Sequence, residues 1–265
     1  MSPAADSAGQ PFAGRSFSPH PFQGDTGEED PGLAAARLEL ESTLAMDPTK
    51  RTTAELSRAW VGVVDALRTT RLLSPLLAEA GDFGVTDTGA VVEKTQELAV
   101  IHVEGPDGRA VAPVFSSVAR MAAWNPQARP VPVEAIRVAL ATAADGLELL
   151  VVDPGSDQQF VVRHSALEAI ATQAEYLPPW SNPQVLDAIA EALQAPGSPV
   201  SRHRVVPGDP THTLAGPELV VVVGVKPGLA AEDLRTQLGQ ISETWSANPV
   251  LARLVDGLGI RVLPD

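Results

Sequence analysis

The chain has 265 residues, a net charge of −14 and no cysteine. Its length suffices for one large core or two small ones, and 44% apolar with 20% charged residues is a globular composition, not a disordered one. The missing cysteine removes disulfides, thiolate chemistry and cysteine-based zinc sites, and the acidic balance opposes polyanions such as nucleic acid.

Met1 to Asp30 has no basic stretch followed by an apolar one, so it does not read as a signal peptide. The longest apolar run, Leu219 to Val223, is far short of the roughly 20 residues a membrane helix needs. The expectation is a cytoplasmic protein without membrane insertion. Residues 1–32 are rich in Pro, Gly and Ser and end in Glu28-Glu29-Asp30, which predicts a disordered acidic arm. Phe12, Phe17 and Phe22 recur along it and make it a candidate partner-binding segment.

Leu33, Ala36, Leu40 and Leu44 share one face of a helix from Leu33 to Ala45. Asp47-Pro48 offers a cap and a first-turn proline, so a second helix is predicted from there to Thr69, striped by Leu56, Trp60, Val63, Val64 and Leu67. Leu72-Leu73 and Leu76-Leu77 flank Pro75 and read as a buried edge strand. Residues 81–89 form a loop. Strands over Glu97–Val103 and Ala110–Phe115 flank the hairpin turn Gly105-Pro106-Asp107-Gly108. Helices over Ser117–Trp124 and Val133–Ala143 follow. An apolar strand, Leu147–Val152, is closed by Asp153-Pro154-Gly155-Ser156 and pairs with Gln159–Val162, and a helix from Ser165 to Ala174 ends the block.

Tyr176–Pro179 breaks the pattern and marks a domain boundary. Beyond it come a helix (Pro183–Leu193), a loop (Ala195–Pro199) and strands over Arg202–Val206 and Glu218–Val225. A long helix (Ala230–Trp245), a short one (Pro249–Asp256) and a last strand (Gly259–Leu263) close the chain. Strands and helices interleave in both blocks, so the expected class is α/β (α+β): two small sheets, each covered by helices, behind a disordered tail and N-terminal helices. The expected divisions are the tail 1–32, helices 33–69, a first domain 70–175, a linker with connecting helix 176–199, and a second α/β domain 200–265.

Asn125, Asn182 and Asn248 are the chain's asparagines, and proline follows each. At Asn182 and Asn248 an apolar helical pattern comes next, so Asn caps and Pro occupies the first turn. Trp180 and Trp245 just before them are placed to staple the incoming chain. At Asn125 the pair ends a helix instead.

Arg71-Leu72-Leu73-Ser74-Pro75-Leu76-Leu77-Ala78-Glu79 resembles the opening strand of SseB-type N-terminal domains. Pro113-Val114-Phe115-Ser116-Ser117, the helix to Trp124-Asn125-Pro126, then Pro130-Val131-Pro132-Val133 and the strand ending in Asp153-Pro154-Gly155-Ser156 are similar to the actinobacterial branch of that family. Only Lys50, Lys94 and Lys226 among the 19 basic residues are lysine, a bias that suits a GC-rich bacterial genome. Pro183 to Pro264 resembles in outline the C-terminal domain that accompanies it, and the resemblance spans roughly residues 60–263. What it implies is fold. The family brings no established catalytic residues, and its serine-sensitivity and secretion labels name no chemistry. A capping-box acid after Ser117 is replaced by Arg120.

No GxGxxG or GxxxxGK[ST] loop is present. Gly224 to Gly228 lies between a strand and a helix, but Pro227 removes an N–H a phosphate would need, so it reads as a turn. His203 and His212 could face one another across a hairpin with Asp209 between, too few ligands for zinc. Ser116 or Ser117, His164 and Asp153 lie near strand ends of one predicted sheet and make a candidate triad, though capping and turn formation explain each residue. Lys50-Arg51 and Arg202-His203-Arg204 are too short for a nucleic-acid stripe. Glu28-Glu29-Asp30, Glu39 with Glu41, and Glu232-Asp233 read as solvated carboxylates. The expectation is a non-enzymatic protein-interaction or regulatory module with no catalytic, cofactor or metal residues. Its partner would be another protein, neither nucleic acid nor membrane. The alternative is a small-molecule-binding protein or hydrolase-like enzyme with a site between the two domains.

Overall fold

The structure, a computed structural model, describes residues 22–77, 84–85, 91–92 and 101–263. It is an α+β fold whose helices and strands interleave as expected. Helix α1 (Pro31–Ala45) starts where Asp30 accepts the N–H groups of Gly32 and Leu33. Helix α2 (Thr53–Thr69) starts at a capping box in which Thr52 and Glu55 satisfy each other's backbone N–H. This corrects the start expected at Asp47-Pro48. Asp47 accepts from Thr49 and turns the chain, and the later capping box provides the reciprocal bonds that fix the helix. Arg51 donates to the Leu44 carbonyl and so closes α1.

The first sheet comprises β4 (Val103–Glu104), β5 (Ala110–Val114), β7 (Leu150–Val152) and β8 (Phe160–Val162), in that spatial order. β5 and β7 are parallel, and the outer pairs are antiparallel hairpins as the turn sequences predict. Between them in sequence lie α3 (Val118–Trp124) and α4 (Ala135–Ala144), and α5 (His164–Thr172) follows β8. Alternate residues face opposite ways. Ala112, Val114, Leu150, Val152, Phe160 and Val162 join the main core. Val111, Leu149, Val151 and Val161 form a smaller cluster with Leu214. The predicted loop 81–89 and most of the predicted strand 97–103 lie outside the described residues, apart from the short pair β2 (Gly84–Val85) and β3 (Val91–Val92).

Two readings of the proline-rich stretches are corrected. Arg129–Glu134 is a strand, β6, so the helix expected from Val133 starts at Ala135 instead. The strand pairs antiparallel with β1 (Arg71–Leu76), and Leu73 of β1 also exchanges both backbone hydrogen bonds with Phe115, at 2.8 and 2.9 Å. β1 is therefore flanked on both sides and is no edge strand. The N–H of Leu73 points away from β6, so its opposite number Pro132 sits at a non-hydrogen-bonded position. Pro130, opposite Pro75, has the same parity. Neither proline of β6 costs the ladder a bond, which is why the pattern survives. The next bonded pair of β1 with β5 would set Pro75 against Pro113. Neither has an N–H, so that ladder ends at one bridge.

After a 3-10 turn at Pro179–Ser181 and α6 (Pro183–Leu193), the second sheet has the order β11 (Leu258–Val262), β10 (Leu219–Val225), β9 (Val200–Pro207). β10 runs parallel to β11, antiparallel to β9, and is buried along nearly its whole length. Helices α7 (Ala231–Ser246) and α8 (Pro249–Leu254) complete it. Asn182 and Asn248 cap α6 and α8 with Pro at the first position, and Asn125 ends α3, as read from the sequence. The tryptophans bridge helices: Trp180 Nε1 donates to Ser57 of α2 at 2.8 Å, and Trp245 Nε1 to the Ile189 carbonyl of α6 at 3.4 Å. One apolar cluster runs through both sheets and includes Trp60, Leu167, Tyr176, Trp180, Ile189, Val221 and Trp245. Among the described residues no helix is long and apolar enough to cross a membrane.

Candidate functional site

Parallel strands deliver their carboxyl ends to one edge, and β5 and β7 bring Ser116 and Asp153 together there. Asp153 is fully buried and has φ of 53°, a left-handed backbone that Asp tolerates better than most residues. Its Oδ1 accepts the Ser116 N–H at 2.7 Å, and its Oδ2 accepts the Ser116 hydroxyl at 2.8 Å. Arg37, on the buried face of α1, donates to the same Oδ2 at 2.9 Å, and Arg120 Nε lies 3.4 Å from it. Arg37 also donates to Glu29 and to the Gln158 side chain, each at 2.6 Å.

The candidate triad is thereby corrected. Ser116 and Asp153 meet, but β8 runs antiparallel to β7, so His164 emerges past Val162 at the opposite edge of the sheet. A nucleophilic serine must hand its proton to a base. Here the hydroxyl donates to a carboxylate that Arg37 already holds. Ser117 is the cap of α3, accepting the Arg120 N–H at 3.3 Å, as its position predicts.

A second buried polar cluster joins the two sheets. Arg163, 1% exposed, leaves β8 and donates to Asp209 at 2.5 Å, to the Gly216 carbonyl at 3.2 Å, and to Asp256. Arg109 grips Asp256 through two bonds of 2.6 and 2.9 Å. Burial is the largest influence on Asp209 and Asp256 and pushes both upward, but hydrogen bonds and charge attraction together, led by Arg163 at Asp209 and by Arg109 at Asp256, hold both below the usual carboxylate range. Glu218 is fully buried. Its Oε2 accepts the Asp256 N–H at 2.8 Å, yet burial raises its carboxyl to about 7. Burial, then Arg163, lowers His212 to about 3. The His212 ring stacks on Trp60 at 3.6 Å, with Nδ1 3.3 Å from the Val161 carbonyl. Burial, reinforced by Glu218, pushes the Tyr176 hydroxyl well above its ordinary value. Arg163 Nε, Ser165 Oγ, Tyr176 Oη, His212 Nε2 and Glu218 Oε1 are buried without a hydrogen-bond partner among the described residues. An open depression of about 550 Å³ reaches Arg109, Arg163 and Asp256 from outside.

His203 and His212 do not face one another across a hairpin. His203 lies on the exposed side of β9 opposite Val223, whereas His212 is in the core and Asp209 belongs to Arg163. Gly224 and Val225 still belong to β10, where a Cβ at Gly224 would meet Arg202, and the turn follows at Pro227 and Gly228 after Lys226, whose N–H is taken by the Pro199 carbonyl. Glu232 and Asp233 sit in the first turn of α7 as expected. Glu29 and Asp30 are not merely solvated: one pairs with Arg37, the other caps α1. The expected arm therefore ends before residue 32. Phe12 and Phe17 lie outside the described residues.

Sequence reasoning missed Arg37, Arg163, Glu218 and Asp256. Each stands alone among apolar neighbours or at a turn, and no spacing links them. Comparison with curated proteins and with solved structures finds no match. Residues 51–169, from the approach to α2 into α5 and including Ser116, Asp153 and Arg163, match the family model of the SseB protein N-terminal domain.

Proposed function

We propose that this protein is a non-enzymatic interaction or regulatory module of the cytoplasm with a protein partner. In this reading an SseB-type N-terminal domain of the actinobacterial kind is followed by an SseB-type C-terminal domain. The supporting observation is the crevice at the carboxyl ends of β5 and β7, the edge where open α/β sheets hold ligands. Arg37, Glu29, Ser116 and Asp153 fill it with a network that ties α1 to the sheet. Such a network fixes a shape and offers Ser116 no base. Incubation of the purified protein with a metabolite extract, followed by proton NMR, is expected to leave every signal constant. Steady turnover that scales with protein concentration and disappears in Ser116→Ala would overturn the reading.

A second reading, a small-molecule site between the two sheets, is favoured by the unpartnered buried atoms around Arg163 and Glu218. Denaturing the purified protein and analysing the released fraction by mass spectrometry separates the two. A stoichiometric small molecule, reduced by Arg109→Ala, would support the second reading.

A further inference from the structure

We infer that residues 25–29 occupy, within the chain, a site that takes an acidic peptide segment of a partner protein. The inference rests on the interaction-module reading and supplies the partner's chemistry. Asp25-Thr26-Gly27-Glu28-Glu29 lies as a strap over the edge of the first sheet, before α1 begins. Its carboxylates meet arginines of the body: Asp25 pairs with Arg71, and Glu29 with Arg37 at 2.6 Å. Its carbonyls do the same work, since Glu28 O accepts from Arg71 and Gly27 O accepts the Val118 N–H, both at 2.8 Å. Arg71 also holds the Ser116 carbonyl at 3.0 Å, which anchors it beside the crevice.

Two features make the strap exchangeable. Asp25 to Asp30 contains no apolar side chain, and the first fully buried one is Leu33, so lifting the strap uncovers little apolar surface. Its bonds are two partly buried ion pairs and a few backbone contacts, all of which a second segment offering the same carboxylates and carbonyls can replace one for one. Lifting it also changes the balance of charge. Arg37 and Arg120 would then share Asp153, and Arg71 would keep the Ser116 carbonyl but lose its carboxylate. A surface with that excess attracts carboxylates spaced as Asp25 and Glu29 are.

Gly27 adds a further requirement. Its φ is 79°, and a Cβ there would lie 2.7 Å from Val118 Cγ2. The site therefore fits Asp-x-Gly-x-Glu in a segment that bends at the glycine: carboxylate, close backbone approach, carboxylate.

The test uses the full-length chain carrying Asp25→Asn and Glu29→Gln, which loosens the strap. A fluorescein-labelled peptide of residues 22–32 is titrated against it by fluorescence anisotropy. Expected is saturable, salt-weakened binding at least roughly tenfold tighter than to the wild type, where the tethered strap competes. Adding Arg71→Gln to the protein, or Gly27→Ala to the peptide, should abolish it. Absence of binding to a double variant with the wild-type circular dichroism spectrum would overturn the inference. So would binding that survives the peptide's Gly27→Ala, or competition by millimolar phosphate as strong as by unlabelled peptide, which would mark a small-anion site. None of these outcomes bears on turnover, so the interaction-module reading would be judged separately.

Discussion

Glu218 and His212 should cancel each other's effect on stability, and removing either should expose the other. In the folded chain Glu218 keeps its proton up to about 7, whereas its ordinary value is 4.5. Between those values the unfolded state is ionised and the folded state is not, so raising the pH destabilises the fold, by about 3 kcal/mol across the whole range. His212 behaves oppositely. Folded it stays neutral down to about 3, while its ordinary value is 6.5. Between these the unfolded state binds the extra proton, so raising the pH stabilises, again by about 1.4 kcal/mol per pH unit. Asp209 and Asp256, held below their ordinary 3.8, contribute at lower pH and drop out of the window from pH 5 to 6.5. The perturbations are Glu218→Gln and His212→Asn, the latter because Asn tolerates the left-handed backbone at φ of 52°. Urea unfolding followed by tryptophan fluorescence at several pH values from 5 to 6.5 is the assay. The wild type should be nearly flat, Glu218→Gln should gain stability with pH, and His212→Asn should lose it. Parallel profiles for all the proteins would refute the opposed burial of the two groups.

Asp153→Asn keeps the size and the left-handed backbone but removes the charge facing buried Arg37, so it should cost about 3 kcal/mol and lower the melting temperature by roughly 6–12 °C. Calorimetry of this variant, of Arg37→Met and of the double variant checks it: the double should be less destabilised than the sum of the singles by at least about 1 kcal/mol. Thr52→Ala removes the side-chain acceptor of the capping box at the start of α2, and should cost about 1 kcal/mol by urea unfolding. Asp47→Ala, which touches no helix start, should cost less.

Most elements were legible because local rules decide them. The Asn-Pro pairs at 182 and 248 begin helices, and Gly105-Pro106-Asp107-Gly108 joins β4 to β5. Apolar runs such as Leu219–Val223 form buried strands. The failures share a cause. β6 contains Pro130 and Pro132, and proline counts against a strand unless its missing N–H falls on the side that needs none. That parity is set by Leu73 and Phe115, far off in the chain, and the local sequence carries no sign of it.

The site was less legible for the same reason, carried further. Ser116 and Asp153 were found because each follows an apolar strand, and parallel pairing then made them neighbours. His164 also follows an apolar strand, but whether it shares their edge depends on the direction of β8. The hairpin through Gly155 reverses that direction and sends it away. The turn that identifies the loop therefore also excludes the triad. Arg37 takes the position left open beside Asp153, and it arrives from a helix 116 residues earlier. A carboxylate so enclosed gains little by catalysis and much by position. It holds α1 in place, and with α1 the strap whose Asp25 and Glu29 face Arg71 and Arg37. Loss of the Asp153 charge should then loosen the strap as well as the fold, and the peptide should bind Asp153→Asn more tightly than the wild type under conditions where the variant is still folded.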